Sequence, residues 1–193
     1  MARVRKTQQT MENLFFNTPE QKVLRLLLSE PTTTFIPRVI SSKLKGVRGL
    51  GGAEGLSQVL TVLEDLGFVD FVDNKRAVRL RDEGPAIQIL KIFSAICDLE
   101  SLKNLLEPTS IKGFLFGSRS NGKARSDSDY DLFIVADQVE EVKNSVAHHP
   151  LGKSVEVVVW TLDDFEQIDK KDPGLKQKLI HGIQLWGSTS NNW

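Results

Sequence analysis

The chain lacks several features on which whole classes of protein depend. It has a single cysteine, Cys97, among 193 residues, which excludes a framework of internal disulfides. It has no apolar run of about 18 residues and no signal-like N-terminal segment, so we expect a soluble, cytoplasmic protein with no membrane partner. Lysine and arginine together number 25, as do aspartate and glutamate, and this balance gives no global attraction to nucleic acid. Any nucleic-acid affinity must therefore be local.

The N-terminal part of the sequence predicts three helices. Thr18, followed by Pro19 and by Gln21 three residues after the cap, has the pattern of a capped helix start. A second, short helix is expected at about residues 37 to 44. After a glycine-rich break, apolar residues at helical spacing predict a third helix that ends at Gly67, where glycine favours a left-handed cap.

A predicted hairpin follows these helices. Residues 68 to 72 and 76 to 80 have the composition of strands joined by a tight turn. Three helices and a hairpin resemble a winged helix-turn-helix domain, here assigned to residues 1–84. The hairpin would form the wing and has four cations suited to the phosphates of duplex DNA: Lys75, Arg76, Arg79 and Arg81. The third helix has no lysine or arginine with which to read guanine, so DNA binding and protein contact both remain open for this domain.

Residues 113 to 135, GFLFGSRSNGKARSDSDYDLFIV, contain two competing phosphate-site patterns. The first is nearly a P-loop, but Ala124 stands where a serine or threonine binds magnesium, and the segment leads into a strand rather than a helix. A calcium-binding EF-hand loop is also excluded, because Leu132 stands where that loop requires glycine.

The second pattern is Gly117-Ser118 followed ten residues later by Asp129 and Asp131. An apolar strand is expected at residues 111 to 116, then a turn with a short helix, then a strand beginning near the two aspartates. Alternation along that strand puts both carboxylates on one face, with Cα atoms about 6.6 Å apart, so they can share divalent cations. Without cations, two carboxylates so close repel each other.

This strand, Gly-Ser, ten-residue spacer and Asp-x-Asp resemble the signature of the minimal nucleotidyltransferase (MNT-like) family of the polymerase-β superfamily. The resemblance covers roughly residues 86 to 187. It implies a small mixed-sheet polymerase-β-like domain, assigned here to residues 85–193 together with a long helix at about 86 to 106. The whole chain is therefore expected to be an α+β protein with two domains.

The resemblance also implies a third carboxylate on a later strand. Glu156 is the only acid in the apolar run of residues 154 to 160, which favours a buried catalytic role. The alternative is an edge strand on which Glu156 simply faces water. Asp163 and Asp164 are rivals, but they follow Thr161, where a helix start would favour acids in any case.

The implied activity is transfer of a nucleoside monophosphate from a nucleoside triphosphate, ATP being the expected one, to a protein, an RNA end or a small molecule. Asp129, Asp131 and Glu156 would be catalytic and would hold Mg²⁺ or Mn²⁺, and pyrophosphate would be released. Many relatives have an arginine at the position of Asn121, so the nucleotide contacts are expected elsewhere in the loop. The expected contacts are Gly117, Ser118, Arg119, Lys123 and Arg125.

Partners are less constrained by the sequence. Relatives in the minimal family often act beside a HEPN-type toxin that they modify, which makes such a toxin an expected partner. The alternative to an enzyme is a DNA-binding transcriptional regulator or an antitoxin-like protein that uses the nucleotidyltransferase fold for interaction. The histidines are not expected to bind metal, since His148 and His149 are interpreted as a loop before a strand and His181 as distant from the site.

Overall fold

The helix starts of the N-terminal part coincide with capping residues. The computed structural model describes residues 9–188, and its first helices are α1 (Met11–Phe15) and α2 (Pro19–Ser29). At α2 the Thr18 hydroxyl accepts a hydrogen bond from the Gln21 amide, and the Gln21 side chain accepts one from the Thr18 amide. This reciprocal capping box satisfies two backbone donors and confirms the predicted helix start.

Two further helices complete this part of the chain, α3 (Pro37–Lys43) and α4 (Gly52–Asp65). Helix α4 ends at Asp65, and Gly67, two residues further on, has a φ of 74°, which lies in the left-handed region. The amide of Phe68 then donates back to the carbonyl of Leu63 at 2.9 Å, which satisfies an otherwise unpaired helix carbonyl. The predicted second helix and the predicted glycine cap are both confirmed.

The hairpin consists of β1 (Val69–Val72) and β2 (Ala77–Leu80), which pair antiparallel. The turn between them has a positive φ at Asp73, Asn74 and Lys75, a conformation that asparagine and aspartate tolerate better than most residues. These elements form one compact unit, Met1–Arg81, with a core between the helices and the hairpin. Its most buried apolar side chains include Val23, Leu27, Ile40, Leu56, Leu60, Leu63, Val69 and Val78.

The second compact unit, Asp82–Trp193, contains a four-stranded sheet. Its elements in chain order are α5 (Pro85–Leu106), β3 (Lys112–Phe116), α6 (Gly117–Ser120), β4 (Tyr130–Val135), α7 (Val139–His148), β5 (Val155–Trp160), α8 (Leu162–Glu166), α9 (Ile168–Lys171), α10 (Pro173–Ile180) and β6 (Ile183–Trp186). The strand order is β5-β4-β3-β6. Strand β3 is antiparallel to β4 and β6, whereas β4 and β5 are parallel, so the sheet is mixed as expected.

Helices cover both faces of this sheet. On one face, α5 and α7 contribute to a core that includes Leu99, Leu102, Leu106, Leu132, Ile134, Val142 and Val146. On the other face, α9 and α10 pack in a core with Phe114, Phe116, Phe133, Val135, Ile168, Leu175 and Leu179. Because side chains alternate along a strand, Asp131 faces the same side as Phe133 and Val135. The face covered by α10 therefore carries the Asp-x-Asp motif.

The structure also corrects the interpretation of the paired histidines. His148 is the last residue of α7 and not part of a loop. His149 follows it. The Leu151 amide donates to the Nδ1 of His149 at 3.2 Å, and burial lowers the pKa of the His149 imidazole.

None of the helices found between residues 9 and 188 combines the length and apolar character needed to span a bilayer. Residues 1–8 and 189–193, at the outer ends of the two predicted domains, lie outside the described part.

Candidate active site

Strand pairing brings two of the predicted carboxylates together. Asp131 on β4 is the parallel register partner of Glu156 on β5, and neighbouring strands lie about 4.8 Å apart. Asp129 immediately precedes β4, whose first residue is Tyr130. Asp131 is half-buried, whereas Asp129 and Glu156 are exposed. The site therefore lies at one end of β4, open to solvent.

The charges of Glu156 and Asp129 both act on Asp131. The pKa of Asp131 is raised, first by burial, then by the negative charge of Glu156 and then by that of Asp129. The positive charges of Lys178 and Arg119 oppose this rise in the pKa of Asp131. A half-buried carboxylate beside two others is the arrangement that a bound cation relieves.

Glu156 differs from the expectation in one respect. It is exposed, and β5 lies at the edge of the sheet, so the prediction that Glu156 is buried is wrong. The apolar residues around Glu156 do not indicate a central strand, since Val158 of the same strand is also exposed. Glu156 nevertheless lies close to Asp131, because the one neighbour of the edge strand β5 is β4, which carries Asp131.

One of the two rival acids after β5 has another partner. Thr161 caps α8 by accepting from the Asp164 amide at 3.2 Å, as expected for a helix start. The Asp164 carboxylate pairs with Lys171, and this hydrogen bond is the main cause of its lowered pKa, with Thr161 contributing. Asp163 is exposed in the first turn of the same helix. The structure therefore gives Asp164 a structural role, whereas Glu156 lies beside Asp131.

Gly117 is required by the Asp131 side chain. It has a φ of 71°, and a Cβ added there would overlap the carboxylate of Asp131. Any other residue at this position would meet both a strained backbone and a displaced carboxylate. The sequence resemblance predicted Gly117 as a nucleotide contact, and the structure adds that Gly117 leaves room for the Asp131 carboxylate.

Arg119 forms hydrogen bonds with the backbone of the segment that leads to Asp129. Its Nη2 donates to the carbonyl of Ser128 at 2.6 Å, and its Nε lies 3.2 Å from the carbonyl of Asp129. The guanidinium also lies 3.9 Å from the centre of the Tyr130 ring, whose hydroxyl donates to Asp98 on α5 at 2.7 Å. These contacts connect α6, the Asp-x-Asp motif and α5, and they hold the backbone at Asp129 in place.

The two other predicted nucleotide-binding cations lie on the loop after α6. The Lys123 amide donates to the Ser118 carbonyl at 3.0 Å, while the Lys123 side chain is exposed. The Arg125 amide donates to the Ser128 hydroxyl at 2.9 Å, and the exposed Arg125 guanidinium lies 3.8 Å from Asp127. The loop is thus held by backbone hydrogen bonds that leave these side chains at the surface.

A cavity of about 310 Å³ adjoins the site on the side of α10. Its lining residues come from α6 and the following turn and from the C-terminal end of α10: Gly117, Ser120, Asn121, Gln177, Lys178 and His181. The expectation that His181 is distant from the site is therefore wrong. Strand β6 pairs antiparallel with β3, so the end of α10 returns to the end of β3. That long-range pairing is not visible as a local sequence pattern, and Lys178 was missed for the same reason.

The chemistry of the site fits a divalent cation that arrives with a substrate. All three acidic side chains are oxygen donors, the type that magnesium prefers. Within residues 9–188, no three His, Cys, Asp or Glu side chains are grouped so that they could hold a metal ion by themselves. Magnesium is typically held by one or two carboxylates and completes its shell with phosphate and water, which the open carboxylate site allows.

The hairpin cations of the first unit are partly compensated. The Arg81 Nε lies 2.6 Å from the Asp70 carboxylate, and the Arg79 Nε lies 3.8 Å from it. Lys75 and Arg76, in and beside the turn, are exposed. The predicted DNA-binding set thus divides into two side chains paired across the hairpin and two at its tip.

A family comparison matches the part of the chain that contains this site. Residues 100–191 match the family described as "Polymerase beta, Nucleotidyltransferase". The match begins within α5 and includes all four strands of the larger sheet, and it covers slightly less than half of the chain. Together with the mixed sheet and the carboxylates, it supports a polymerase-β-like nucleotidyltransferase domain in the second unit.

Solved structures give distant likenesses. A toxin-antitoxin crystallised with AMP-PNP is 25% identical over 47% of this chain and 73% of its own, with a TM-score of 0.35. A mutant of the toxin-antitoxin MntA-HpeT is 21% identical over 49% and 74%, with a TM-score of 0.33. A candidate nucleotidyltransferase from Sulfolobus solfataricus is 17% identical over 56% and 90%, with a TM-score of 0.32. Among curated proteins, none matches the chain significantly.

Proposed function

We propose that the second unit is a metal-dependent nucleotidyltransferase that transfers a nucleoside monophosphate from a nucleoside triphosphate to an acceptor. The observation that carries this proposal is the pairing of Asp131 with Glu156, with Asp129 close enough to act on the pKa of Asp131. A carboxylate beside two others is costly when all three are ionised, and acids with a shifted pKa cluster at functional sites. The family match over residues 100–191 supports the same activity.

Each carboxylate has a separate role in this proposal. Asp129 and Asp131 would hold the divalent cation that comes with the triphosphate, and Glu156 would contribute to holding a second cation, with phosphate and water completing each shell. Mg²⁺ or Mn²⁺ would neutralise charge on the attacking and leaving oxygens of an in-line displacement. Ser118, at the start of α6, offers a hydroxyl and an amide to the phosphates, and Gly117 keeps the approach free of a side chain.

The proposed reaction exchanges one phosphorus–oxygen bond for another. An acceptor oxygen forms a bond to the α-phosphorus while the bond from that phosphorus to the α–β bridging oxygen breaks. Pyrophosphate leaves with the electron pair of the broken bond, and the acceptor hydroxyl gives up its proton to solvent. ATP is the expected donor, and the acceptor is a protein, an RNA end or a small molecule.

Detection of the transferred nucleoside monophosphate tests this proposal. The full chain is incubated with each nucleoside triphosphate, Mg²⁺ and mixed RNA or protein acceptors, and the acceptors and the protein itself are weighed by mass spectrometry for an added nucleoside monophosphate. We expect transfer by the wild type, none by Asp131→Ala, and wild-type transfer by Asp137→Ala, an exposed acid just beyond β4. Equal transfer by the wild type and Asp131→Ala would contradict the proposal.

For the first unit we propose binding of duplex DNA through the hairpin. The supporting observation is the exposure of Lys75 and Arg76 at its tip. Four helices precede the hairpin, and the last three of them, α2, α3 and α4, are the three that the sequence predicted for a winged helix domain. The alternative, a module for protein contact within a regulator or antitoxin-like protein, predicts no DNA affinity at low salt. A HEPN-type toxin partner remains a prediction from the sequence resemblance.

A further inference from the structure

Tyr130 is the residue between the two aspartates of the Asp-x-Asp motif, and its side chain points away from the carboxylate face of the sheet. Because side chains alternate along β4, the Tyr130 ring lies on the opposite face from Asp131. There it is only 6% exposed, in the core to which α5 and α7 contribute. An apolar side chain would fill this core without a polar group, so packing alone does not explain the phenol hydroxyl.

The Tyr130 hydroxyl is held by a carboxylate on α5. It donates to Oδ2 of Asp98 at 2.7 Å, a short distance that is typical of a carboxylate acceptor. Helix α5 meets the loop after α6 at a second point, since a Cβ added to Gly122 would overlap the backbone of Gln88. Both Asp98 and Gln88 precede residues 100–191, so these contacts come from outside the segment that matches the nucleotidyltransferase family.

The Tyr130 ring also contacts a cation of the site. The Arg119 guanidinium lies 3.9 Å from the ring centre, and Arg119 donates to the carbonyls of Ser128 and Asp129. A ring whose hydroxyl donates to an anion is more electron-rich, which strengthens its attraction for a cation over its face. Asp98, Tyr130 and Arg119 therefore form a chain of polar contacts that runs from α5 to the backbone of the first aspartate.

A purely structural reason for Asp98 also exists. A buried hydroxyl needs a hydrogen-bond partner, and Asp98 gives Tyr130 one whatever reaction the protein performs. Loss of that bond would then lower the free energy of unfolding and leave the carboxylate geometry unchanged. The chain of contacts ends at the Asp129 carbonyl, however, so a displaced ring would also displace a carboxylate of the site. The two roles therefore differ in what they predict for metal binding and turnover.

We propose that Asp98 is a positioning residue of the carboxylate site, and that it acts through Tyr130 and Arg119 on the backbone of Asp129. The inference rests on the proposed function. Asp98 binds the Tyr130 hydroxyl on the face of the sheet opposite Asp131, so its effect on the reaction is indirect. A fixed Asp129 backbone keeps the two aspartate carboxylates in the mutual position that shared divalent cations require.

Variants that remove single contacts of the chain test this assignment. In the full-length protein, Tyr130→Phe removes only the hydroxyl, Asp98→Ala removes the acceptor, and Asp98→Asn keeps an uncharged acceptor. Steady-state pyrophosphate release, with the acceptor found by the transfer assay, gives kcat and the KM for ATP. We expect kcat to fall about tenfold in Tyr130→Phe and Asp98→Ala, while KM stays within about threefold of wild type. Asp98→Asn should keep kcat within about threefold of wild type.

A second measurement needs no acceptor. Electron paramagnetic resonance of Mn²⁺, bound together with α,β-methylene-ATP, reports how well the oxygen ligands of the cation are ordered. The Mn²⁺ lines should broaden in Tyr130→Phe and Asp98→Ala, whereas a merely structural Asp98 would leave them as in the wild type. Glu107→Gln is the control, because it removes an exposed charge at the end of the same helix, 3.8 Å from Lys103, and should change neither measurement.

A double variant tests whether the contacts act as one chain. Tyr130→Phe combined with Arg119→Met should have a kcat within about threefold of Arg119→Met alone, because both changes interrupt the same path to Asp129. If the two losses multiply instead, the Tyr130 hydroxyl does not act through Arg119 and the inference is overturned.

The remaining contrary results separate this inference from the proposed function. If Tyr130→Phe and Asp98→Ala unfold at lower urea but keep the kcat and the Mn²⁺ spectrum of the wild type, Asp98 is structural and the inference is overturned. The proposed function then stands, provided that Asp131→Ala is inactive. If the wild type neither binds ATP with Mg²⁺ nor transfers a nucleoside monophosphate, both fail. Should Asp98→Ala not fold, Tyr130→Phe decides the question by the same measurements.

Discussion

The hairpin of the first unit and the carboxylate site of the second differ in how their charged side chains are compensated. In the first unit, Arg79 and Arg81 lie beside Asp70 across the hairpin, so neighbouring charges compensate each other. In the second unit, Asp131 is half-buried next to Glu156 and Asp129, and like charges raise its pKa. Compensated surface pairs contribute about 0–1 kcal/mol and carry little information about function. Like charges around Asp131 outweigh the nearby cations and disfavour folding, which is the arrangement expected where a ligand supplies positive charge.

The largest expected effect comes from Glu156. Glu156→Gln keeps the size and polarity of the side chain and should keep the fold and most of the nucleotide affinity, because the triphosphate brings its own cation. Transfer should fall by at least about two orders of magnitude, since activation of the acceptor needs the other cation. Steady-state pyrophosphate release checks this prediction.

The matched controls for Glu156 are the acids at the start of α8. Asp163→Asn and Asp164→Asn should change the transfer rate only modestly, because Asp164 pairs with Lys171 at the helix start. If Glu156→Gln stays active while Asp163→Asn or Asp164→Asn is inactive, the third metal ligand is an acid at the start of α8 and not Glu156.

A smaller effect is expected from Arg119, which we interpret as a positioning residue. Arg119→Met removes the hydrogen bonds to the carbonyls of Ser128 and Asp129, which should destabilise the fold by about 1–3 kcal/mol. A misplaced Asp129 should also lower kcat about tenfold or more, while the apparent KM for ATP changes less. Urea unfolding and kinetics measured on the same preparations test both parts.

The effects of Arg119→Met on kcat and on KM distinguish a positioning role of Arg119 from direct nucleotide binding. Direct phosphate contact by Arg119 would mainly raise KM and would leave the free energy of unfolding nearly unchanged. The exposed cation Lys123, which lies on the same loop, serves as the control for stability, since Lys123→Met should unfold as the wild type does.

The hairpin of the first unit predicts a salt-dependent effect. If it contacts DNA phosphates, replacing Arg76, Arg79 and Arg81 by alanine should weaken duplex binding and reduce the salt slope by up to about one unit for each lost contact. Because Arg79 and Arg81 lie beside Asp70, the double variant Lys75→Ala/Arg76→Ala should account for most of the change. Fluorescence anisotropy at several salt concentrations checks this, and no DNA affinity of the wild type at low salt would leave the protein-contact interpretation.

The smallest predicted effect is a gain in stability. Since the pKa of Asp131 is raised in the folded state, its ionisation opposes folding, and the associated stability is present below the usual aspartate range and lost as pH rises through the raised pKa. Asp131→Asn should therefore unfold at a higher urea concentration than the wild type at pH 7.5, and the difference should shrink toward pH 4.5. Mg²⁺ should also reduce the difference. Asp137→Asn, away from the site, should show no such gain.

Local patterns in the sequence predicted local structure well. The Thr18 cap, the Gly67 helix end and the turn from Gly117 into α6 depend on nearest neighbours, which a sequence displays directly. The sequence also predicted a strand on either side of the Gly117–Asp129 spacer, and the structure adds that these strands pair, with Phe116 opposite Asp131.

Features set by long-range pairing could not be predicted in the same way. The apolar composition of β5 suggested a buried strand, but whether a strand lies at an edge depends on which neighbours it acquires. Lys178 and His181 reach the site because β6 returns antiparallel beside β3, a pairing between segments more than 60 residues apart in sequence. The role of Arg119 in holding Asp129 likewise depended on three-dimensional contacts with backbone carbonyls, which no residue type reveals.

Calorimetric titration of ATP into the wild type and Asp131→Ala, with Mg²⁺ and again with EDTA, tests the central claim most directly. Since repulsion among Asp129, Asp131 and Glu156 is what a divalent cation relieves, the wild type should bind ATP with Mg²⁺ and lose at least about tenfold in affinity with EDTA. Asp131→Ala should bind ATP only weakly, with the same affinity in Mg²⁺ and in EDTA. Binding of ATP that is equally tight in both proteins and indifferent to Mg²⁺ would contradict the assignment of these carboxylates as a nucleotide and metal site.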